Sequence, residues 1–456
     1  MRKIRFILAL WSAKTASLLC KLLKSRGSTA PGRIALKICP DFIKICADGI
    51  KEKIIVVCGT NGKTSTNNFI YSILKASGYE VVCNKAGANM LTGIAAAFSK
   101  KTSIFGKIKA DFASLEVDEA NMPLLFKHIK PDFAVVTNLF RDQLDRYGEI
   151  DATSNLLKKA FLLSPETQLI LNADDPVTSI FETKKKNIYY SIKRGEGMIL
   201  ANERKDGSLC PKCGTALNYE YFNYGQLGKF SCENCGFENP ASDFSADNII
   251  IKDGDILFDI KQGEKSITTL KSRASALYNA YNMLAAFLTC TELGIDEKIS
   301  KKVLEEIKPE PGRMSKFSIK EKTVYLILSK NPTGFNQSVT TVINDPRKKD
   351  ILISVNDNAG DGNDISWIYD VDFESLVEYT GGAYTFFGQR KYDMYLRLRL
   401  ALCPEENMKI ATSIEDAAEK MLSGECEVVY ALVNYTAMYP FYVYLKKLEE
   451  EGSKNA

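Results

Sequence analysis

IIVVCGTNGKT, residues 54–64, is the stretch from which the rest of the chain can be read. It opens on an unbroken apolar run, mostly β-branched, the pattern of a strand buried on both faces of a parallel sheet. A turn containing Gly59 and Gly62 follows, and helical text then runs over 67–77 until Gly78 stops it. Strand, GxxGKT turn and helix in that order are what a phosphate loop requires. Glycines let the backbone approach the phosphates, and successive N–H groups and the helix N-terminus receive the negative charge. A lysine reaches the β- and γ-phosphates, and a hydroxyl can ligate Mg²⁺. The candidate nucleotide-binding residues are therefore Gly59, Thr60, Asn61, Gly62, Lys63, Thr64 and Ser65, with Thr64 the candidate magnesium ligand. The generic pattern would carry its first glycine at position 57, where this chain has Val57. A chance glycine turn is the competing reading, and the register of strand, turn and helix argues against it.

Outward from this loop, strand-like runs at 80–83, 112–117, 133–137, 168–172 and 188–191 alternate with helical stretches. That alternation predicts an α/β protein with a mostly parallel, doubly wound sheet. The text changes near Lys205 and stays polar, aromatic and glycine-rich to about Pro240. Strand-like text at 248–251 and 256–260 and a helix from about 274 to 293 follow, and Pro309, Pro311 and Gly312 mark a boundary. Beyond it TVYLIL, DILISV, AYTFFG and EVVYALV read as strands, with helices at 414–422 and 440–450, forming a second, Rossmann-like α/β unit. The expected organisation is an N-terminal helical segment (1–48), a central domain (49–308) with an insertion at about 205–240, and a C-terminal domain (309–456).

The insertion holds CPKCG and CENCG, which place Cys210, Cys213, Cys232 and Cys235 in two knuckles separated by 18 residues. This is four-cysteine zinc spacing, and four thiolates leave no open position for water, so the expected zinc is structural. A nucleic-acid-binding ribbon is the alternative. Lys205, Lys212 and Lys229 are balanced there by Asp206, Glu220, Glu233 and Glu238, and the whole chain carries only +4, so no nucleic-acid partner is expected. The other eight cysteines show no framework spacing, which suits a reducing, cytoplasmic compartment. The N-terminal MRKIRFILALWSAK superficially resembles a signal peptide, but its longest charge-free stretch is 6–13. That is far short of the roughly 20 residues a spanning helix needs. An amphipathic helix packed on the next domain is expected, with membrane contact at most peripheral. The only histidine, His128, lies in KHIKPD with no cysteine near it in sequence. A complete Cys–His glutaminase within this chain is therefore not expected.

The GTNGKT variant, with later segments in order, resembles the Mur ligase family, ATP-dependent ligases that activate a carboxylate as an acyl phosphate and join it to an amine. Glu116 in SLEVDEAN falls where the family places a glutamate on the nucleotide's Mg²⁺. TNLFRDQLDRYG (137–148) resembles the family's TN…DH segment, and NADDP (172–176) matches closely. Asn279 and Asn282 in YNAYNMLAA fall where relatives carry HNxxN against the adenine, and Arg313 in PGRM resembles an arginine that reaches the phosphates from the third domain. The departures are Gln143 and Tyr278 in place of histidines, LSKNPTG (328–334) in place of DYAHNP, and no identifiable carbamoylated lysine. They argue against an ordinary amino-acid-adding Mur or folylpolyglutamate-type ligase.

NDNAGDGNDISWIYD (356–370) gathers Asp357, Asp361, Asp364 and Asp370 after a strand, where α/β folds place sites. Taken alone it reads as an Asx-rich turn or an incomplete calcium-like loop. Together with the core and the four cysteines, this loop and APGRIALKICPDFI (30–43) resemble the MurT branch of the family. That resemblance implies amidation of the α-carboxylate of D-glutamate in the lipid II stem peptide, using ATP and Mg²⁺, in peptidoglycan biosynthesis. Ammonia would come from glutamine through a separate GatD-like class I glutaminase subunit, in a heterodimer or larger assembly. Lys63 and Glu116 would serve the phosphoryl transfer, and Asp364 or Asp361 would complete the partner's Cys–His pair.

Overall fold

A computed structural model describes residues 2–22, 29–84, 88–141, 150–193, 200–201, 208–252, 255–273, 276–307, 312–358 and 360–454. Gln143 and the rest of 142–148, Lys205, Pro309 and Pro311 lie outside the described residues, and of Arg313 only the backbone is described.

The apolar run of the phosphate-loop strand becomes β1 (Ile54–Cys58), every residue of it buried. Around it stand β2 (Val81–Cys83), β3 (Phe112–Glu116), β4 (Phe133–Val136), β5 (Gln168–Asn172) and β6 (Ile188–Ile192). The β1 strand pairs in parallel with β3 on one side (Val57 opposite Glu116) and β4 on the other (Cys58 opposite Val136). The carboxyl ends of three strands therefore open at one place. Beyond the hairpin β7 (Asn218–Tyr224) and β8 (Leu227–Ser231), the sheet continues through β9 (Phe244–Lys252), β10 (Asp255–Gln262) and β11 (Lys265–Ser272). Its order is β11-β10-β9-β6-β5-β4-β1-β3-β2; β9 joins β6 in parallel, whereas β10 and β11 add antiparallel strands at one edge. The sequence reading lacks β11 because only Leu270 and Ser272 of this polar edge strand are buried, leaving no alternation to detect.

The helix after β1 runs over Lys63–Ala76, four residues earlier than its apolar periodicity suggests. Gly62 at φ +85° sets its start, a backbone conformation that glycine adopts without a Cβ clash. Phe69, Ile70, Ile73 and Leu74 bury its inner face. At the N-terminus, helix Arg2–Leu22 inserts Phe6, Ala9, Leu10 and Ala13 into the same apolar cluster as Val56, Cys58 and Phe98. Burying Phe6 and Leu10 is worth about 1.5–3 kcal/mol each. This is the packed helix expected from the sequence, and among the described residues no helix is long and apolar enough to cross a membrane.

The C-terminal unit is built on β12 (Arg313–Ile319), β13 (Lys322–Leu328), β14 (Lys349–Ser354), β15 (Gly381–Phe387), β16 (Met408–Ile410) and β17 (Val428–Val433), ordered β12-β13-β17-β14-β15-β16. Only the β12–β13 pair is antiparallel. Helix Pro332–Ile343 follows β13 with Asn331 as its cap and Pro332 at its first position. The acidic loop follows β14 in the same way, so both chemically interesting loops leave the carboxyl ends of this sheet's strands.

Candidate active site

The phosphate loop is clamped by the segment after β4. Thr60 N donates to Asn138 O (2.8 Å), Asn61 N to Asn138 Oδ1 (3.0 Å), and Thr137 Oγ1 to Asn61 O (2.7 Å). A Cβ on Gly59 would lie 2.3 Å from Thr137 Oγ1, and one on Gly62 would lie 2.1 Å from Asn282 Oδ1. Both glycines are therefore required by close approach. The helix that starts at Lys63 has no side-chain cap, which leaves its first-turn N–H groups for an anion. Asn282 adds an orphan: its Oδ1 accepts from Thr66 Oγ1 (3.4 Å), but its buried Nδ2 has no partner. An orphaned donor, a glycine cradle and an open helix N-terminus are what a nucleotide's phosphates fit. Asn282 thus lies on the phosphate loop itself, and Asn279 sits one turn earlier on the same helix, Leu277–Glu292.

Lys63 Nζ is 2.9 Å from Glu119 Oε1, which also accepts from Gly59 N at 2.9 Å. A carboxylate thus rests against the N–H and ammonium that a phosphate would use. Burial works against the ammonium of Lys63, but Glu119, with Glu116 and Asp118 behind it, more than restores it and raises its pKa. Burial pushes the Glu119 carboxyl above its ordinary range despite Lys63. Glu119 carries no motif signal in the sequence, although it stands three residues beyond Glu116 in the same acidic run. Glu116 ends β3, buried, with Oε1 accepting from Asn89 Nδ2 (3.3 Å) and its backbone held on both sides by the Asn84 amide. Thr64 and Glu116 offer hard oxygen donors beside the loop, the ligand type that Mg²⁺ takes.

The C-terminal unit reaches this site. Asn331 Nδ2, in LSKNPTG, donates to Asn61 Oδ1 of the phosphate loop (3.2 Å), while its own Oδ1 caps Gly334 N (2.8 Å). Arg141, just past the clamp, pairs with Asp370 at the end of the acidic loop. That loop is internally braced. Arg390 Nε and Nη2 both donate to Asp357 Oδ2 (3.0 and 2.6 Å). Asp361, 5% exposed, accepts from Thr436 N (2.9 Å) and from its hydroxyl. Asp364 is only partly buried and takes Ser366 N at 2.8 Å, a bond that holds its carboxyl below the usual range.

In NADDP, Asp174 accepts from Ile192 N and Tyr281 Oη (both 2.7 Å), and Asp175 from Leu139 N (2.9 Å) and Val177 N (3.0 Å). Burial pushes these carboxyls up to about 7 and about 6. Their unfolded values lie near 4, so between about pH 4 and 7 the unfolded chain ionises first and stability falls as pH rises. An Asp174→Asn variant is expected to show a flatter melting temperature across that window, read by calorimetry; an unchanged pH dependence would reject the assignment.

The four cysteine sulfurs lie within 4.8 Å of one another, with Cys210–Cys235 and Cys213–Cys232 at 3.5 Å. Tetrahedral coordination at ~2.3 Å from a metal would place sulfurs about 3.8 Å apart, so this cluster could hold one ion. Gly214 N and Gly236 N bond back to Cys210 O and Cys232 O (2.8 and 2.9 Å), closing both knuckles. The hairpin between the knuckles enters the central domain. Gln226 Nε2 donates to Leu139 O (2.6 Å), Asn223 Nδ2 to Tyr281 Oη (2.7 Å), and Tyr224 packs on Phe140. The insertion thereby buttresses the segment that clamps the phosphate loop.

Comparison with known proteins agrees with this architecture. Residues 57–236 match the Mur ligase middle domain model and 328–438 the MurT ligase C-terminal model. The chain is 34% identical to subunit MurT of the lipid II isoglutaminyl synthase (glutamine-hydrolyzing) of Staphylococcus aureus strain COL, over 97% of this chain and 98% of that one. It is also 34% identical to the Streptococcus pneumoniae subunit of the same description, over 91% and 92%. The fold resembles a pseudomurein peptide ligase type C from Methanothermus fervidus (TM-score 0.69, 22% identity, 87% of this chain and 79% of that one). It also resembles MurF ligase from Thermotoga maritima in complex with ADP (0.65, 14%, 92% and 85%). With relatives matched along nearly their whole length and both domains recognised, the chain belongs to the MurT family of Mur-type ligases, enzymes that form carbon–nitrogen bonds.

Proposed function

We propose that this chain is the synthetase subunit of a lipid II isoglutaminyl synthase. The substrate's glutamate α-carboxylate attacks the γ-phosphorus of ATP, ADP leaves, and an acyl phosphate results. Ammonia then attacks the acyl carbon and phosphate departs, leaving the amide. Lys63, the loop N–H groups and the N-terminus of helix Lys63–Ala76 hold the charge that spreads over the transferred group. Thr64 and Glu116 would hold Mg²⁺, which neutralises phosphate charge when bound. Arg313 would supply a further positive charge from the C-terminal unit.

The ammonia source is assigned to a GatD-like glutaminase subunit. The observation that carries this reading is the arrangement of the acidic loop. Of its aspartates, Asp357 is paired with Arg390, Asp361 is tied to Thr436 and Asp370 is paired with Arg141. Asp364 is ionised, partly exposed and held by Ser366 of its own loop through the backbone N–H and the hydroxyl, with the Arg141 charge nearby, as suits a carboxylate that must orient an imidazole. Exposed Tyr435, Tyr439 and Val443, spaced four apart on helix Tyr435–Lys454, flank the loop through Thr436 and offer an apolar docking face. The test is isoglutamine formation on lipid II with ATP and Mg²⁺. Product is expected with glutamine only when the glutaminase is present, and with ammonium in its absence. ATP hydrolysis without amidation from either source would mean that the substrate is wrong.

The cysteine cluster is assigned to structural zinc. About one zinc per chain is expected by elemental analysis. Cys232→Ser is expected to lower the melting temperature by several degrees and to weaken nucleotide binding, because Gln226 and Tyr224 brace Leu139 and Phe140. Full nucleotide affinity in a zinc-free preparation would remove the buttressing role.

A further inference from the structure

Helix Arg2–Leu22 is apolar on two faces. At 100° per residue, buried Phe6, Ala9, Leu10 and Ala13 form one stripe. Ile4, Leu8, Trp11, Leu18, Leu19 and Leu22 form a second, about 180° away. All six are exposed, Leu22 by 71% and Ile4 by 67%. The inner stripe explains the docking on the central domain; the outer one has no counterpart among the described residues. It is extended sideways by a loop tip: Trp11 Nε1 donates to Ile104 O (2.9 Å), and the next residue, Phe105, is 83% exposed. Lys3, Lys14 and Lys21 run along one border of the outer stripe and Arg5 along the other, with Lys107 beside the loop tip.

The charge of this region identifies the occupant. The first 40 residues contain nine Lys and Arg and no Asp or Glu, while the whole chain carries only +4, so everything beyond them is net negative. Two copies of the stripe laid face to face would bring these cations together, which opposes self-association. A row of apolar side chains with an indole and a phenyl ring, bordered by long cationic side chains, suits a lipid surface. The rings and leucines sit at the acyl boundary while the ammonium groups reach anionic headgroups. The helix would lie flat, because its opposite face is already packed on protein.

We propose that the outer stripe of helix Arg2–Leu22, with the Ile104–Phe105 tip, docks this protein in the plane of a bilayer bearing anionic headgroups. The proposal rests on the helix and not on the amidation reading, and vesicle binding is measured without ATP or lipid II, so either can fail alone. The full chain, alone and with its glutaminase, is sedimented with phosphatidylglycerol–phosphatidylcholine vesicles and with phosphatidylcholine vesicles. Binding to the mixed vesicles is expected to exceed binding to the neutral ones by about ten-fold and to fall with salt. A Leu8→Ser, Leu19→Ser, Phe105→Ser variant, altered only at exposed positions, is expected to lose about ten-fold in partitioning while hydrolysing ATP normally. In the wild type, Trp11 fluorescence is expected to shift to the blue on binding. No binding by the wild type, or equal binding by the variant, would overturn the proposal. So would a wild-type dimer that the variant dissolves, or loss of the glutaminase from the variant, since each would assign the stripe to a protein.

Discussion

Lys63→Ala is expected to abolish ATP turnover and amidation together. Lys63 is the cation of the phosphate loop, and removing one preorganised charge from such a site costs about 10²–10³ in rate. The same change strands Glu119, whose carboxylate is buried against Lys63 and Gly59 N. Breaking a buried pair by deleting one partner costs about 3–5 kcal/mol, so part of the loss could come from a weakened fold. Glu119→Gln in the same chain separates the two effects: a neutral amide needs no cation, so melting temperature should recover while activity stays lost. Retained amidation in Lys63→Ala, or activity that returns with stability in the double variant, would remove Lys63 from the chemistry. Glu119→Gln alone is informative as well. The carboxylate occupies donors that a phosphate needs, so relieving it should not weaken nucleotide binding as Lys63→Ala does.

The second large effect concerns the acidic loop. Asp364→Asn is expected to cut glutamine-driven amidation by about 10³–10⁴-fold, the scale seen when the orienting acid of a nucleophile–histidine pair becomes an amide. The ammonium-driven rate should be unchanged, because among the described residues the hydrogen bonds of the Asp364 carboxylate go to Ser366 of its own loop and not to the phosphate loop. Asp361→Asn is expected to behave differently. Asp361 anchors Thr436 N and its hydroxyl, and that hydroxyl also receives Asn356 and Asn358. Its loss should loosen the whole loop, lower the melting temperature and depress both rates in part. If Asp361→Asn were dead with glutamine yet normal with ammonium, and Asp364→Asn normal with both, the two roles would be reversed.

Much of this architecture is legible in the sequence. A buried β-branched strand, a glycine turn and a helix are local patterns, and each is set by residues adjacent in the chain: Ile54–Cys58 by burial, Gly62 by its positive φ. The knuckles around Cys210 and Cys232 are equally local, since spacing and a following glycine suffice to turn the sulfurs inward. Edge strands such as β11 were not legible, because a strand with one solvated face and few apolar residues carries little periodicity.

The site was legible only in part. Lys63 and Glu116 could be named from their segments, but which carboxylate meets the lysine depends on how β1 and β3 pair, and the structure brings Glu119 there. Asn282 and Asn331 lie 221 and 270 residues from Asn61, and only packing brings their amides to the phosphate loop. The loop aspartates are chemically alike in sequence. They differ in the fold because Arg390, Thr436 and Arg141, from three separate segments, each bond to one of them, whereas Asp364 bonds to Ser366 of its own turn and feels Arg141 only through its charge. Backbone turns, metal knuckles and buried strands follow from neighbouring residues; the ionisation and availability of a side chain follow from desolvation and from partners that arrive from afar. The latter are fixed only when the sheets assemble.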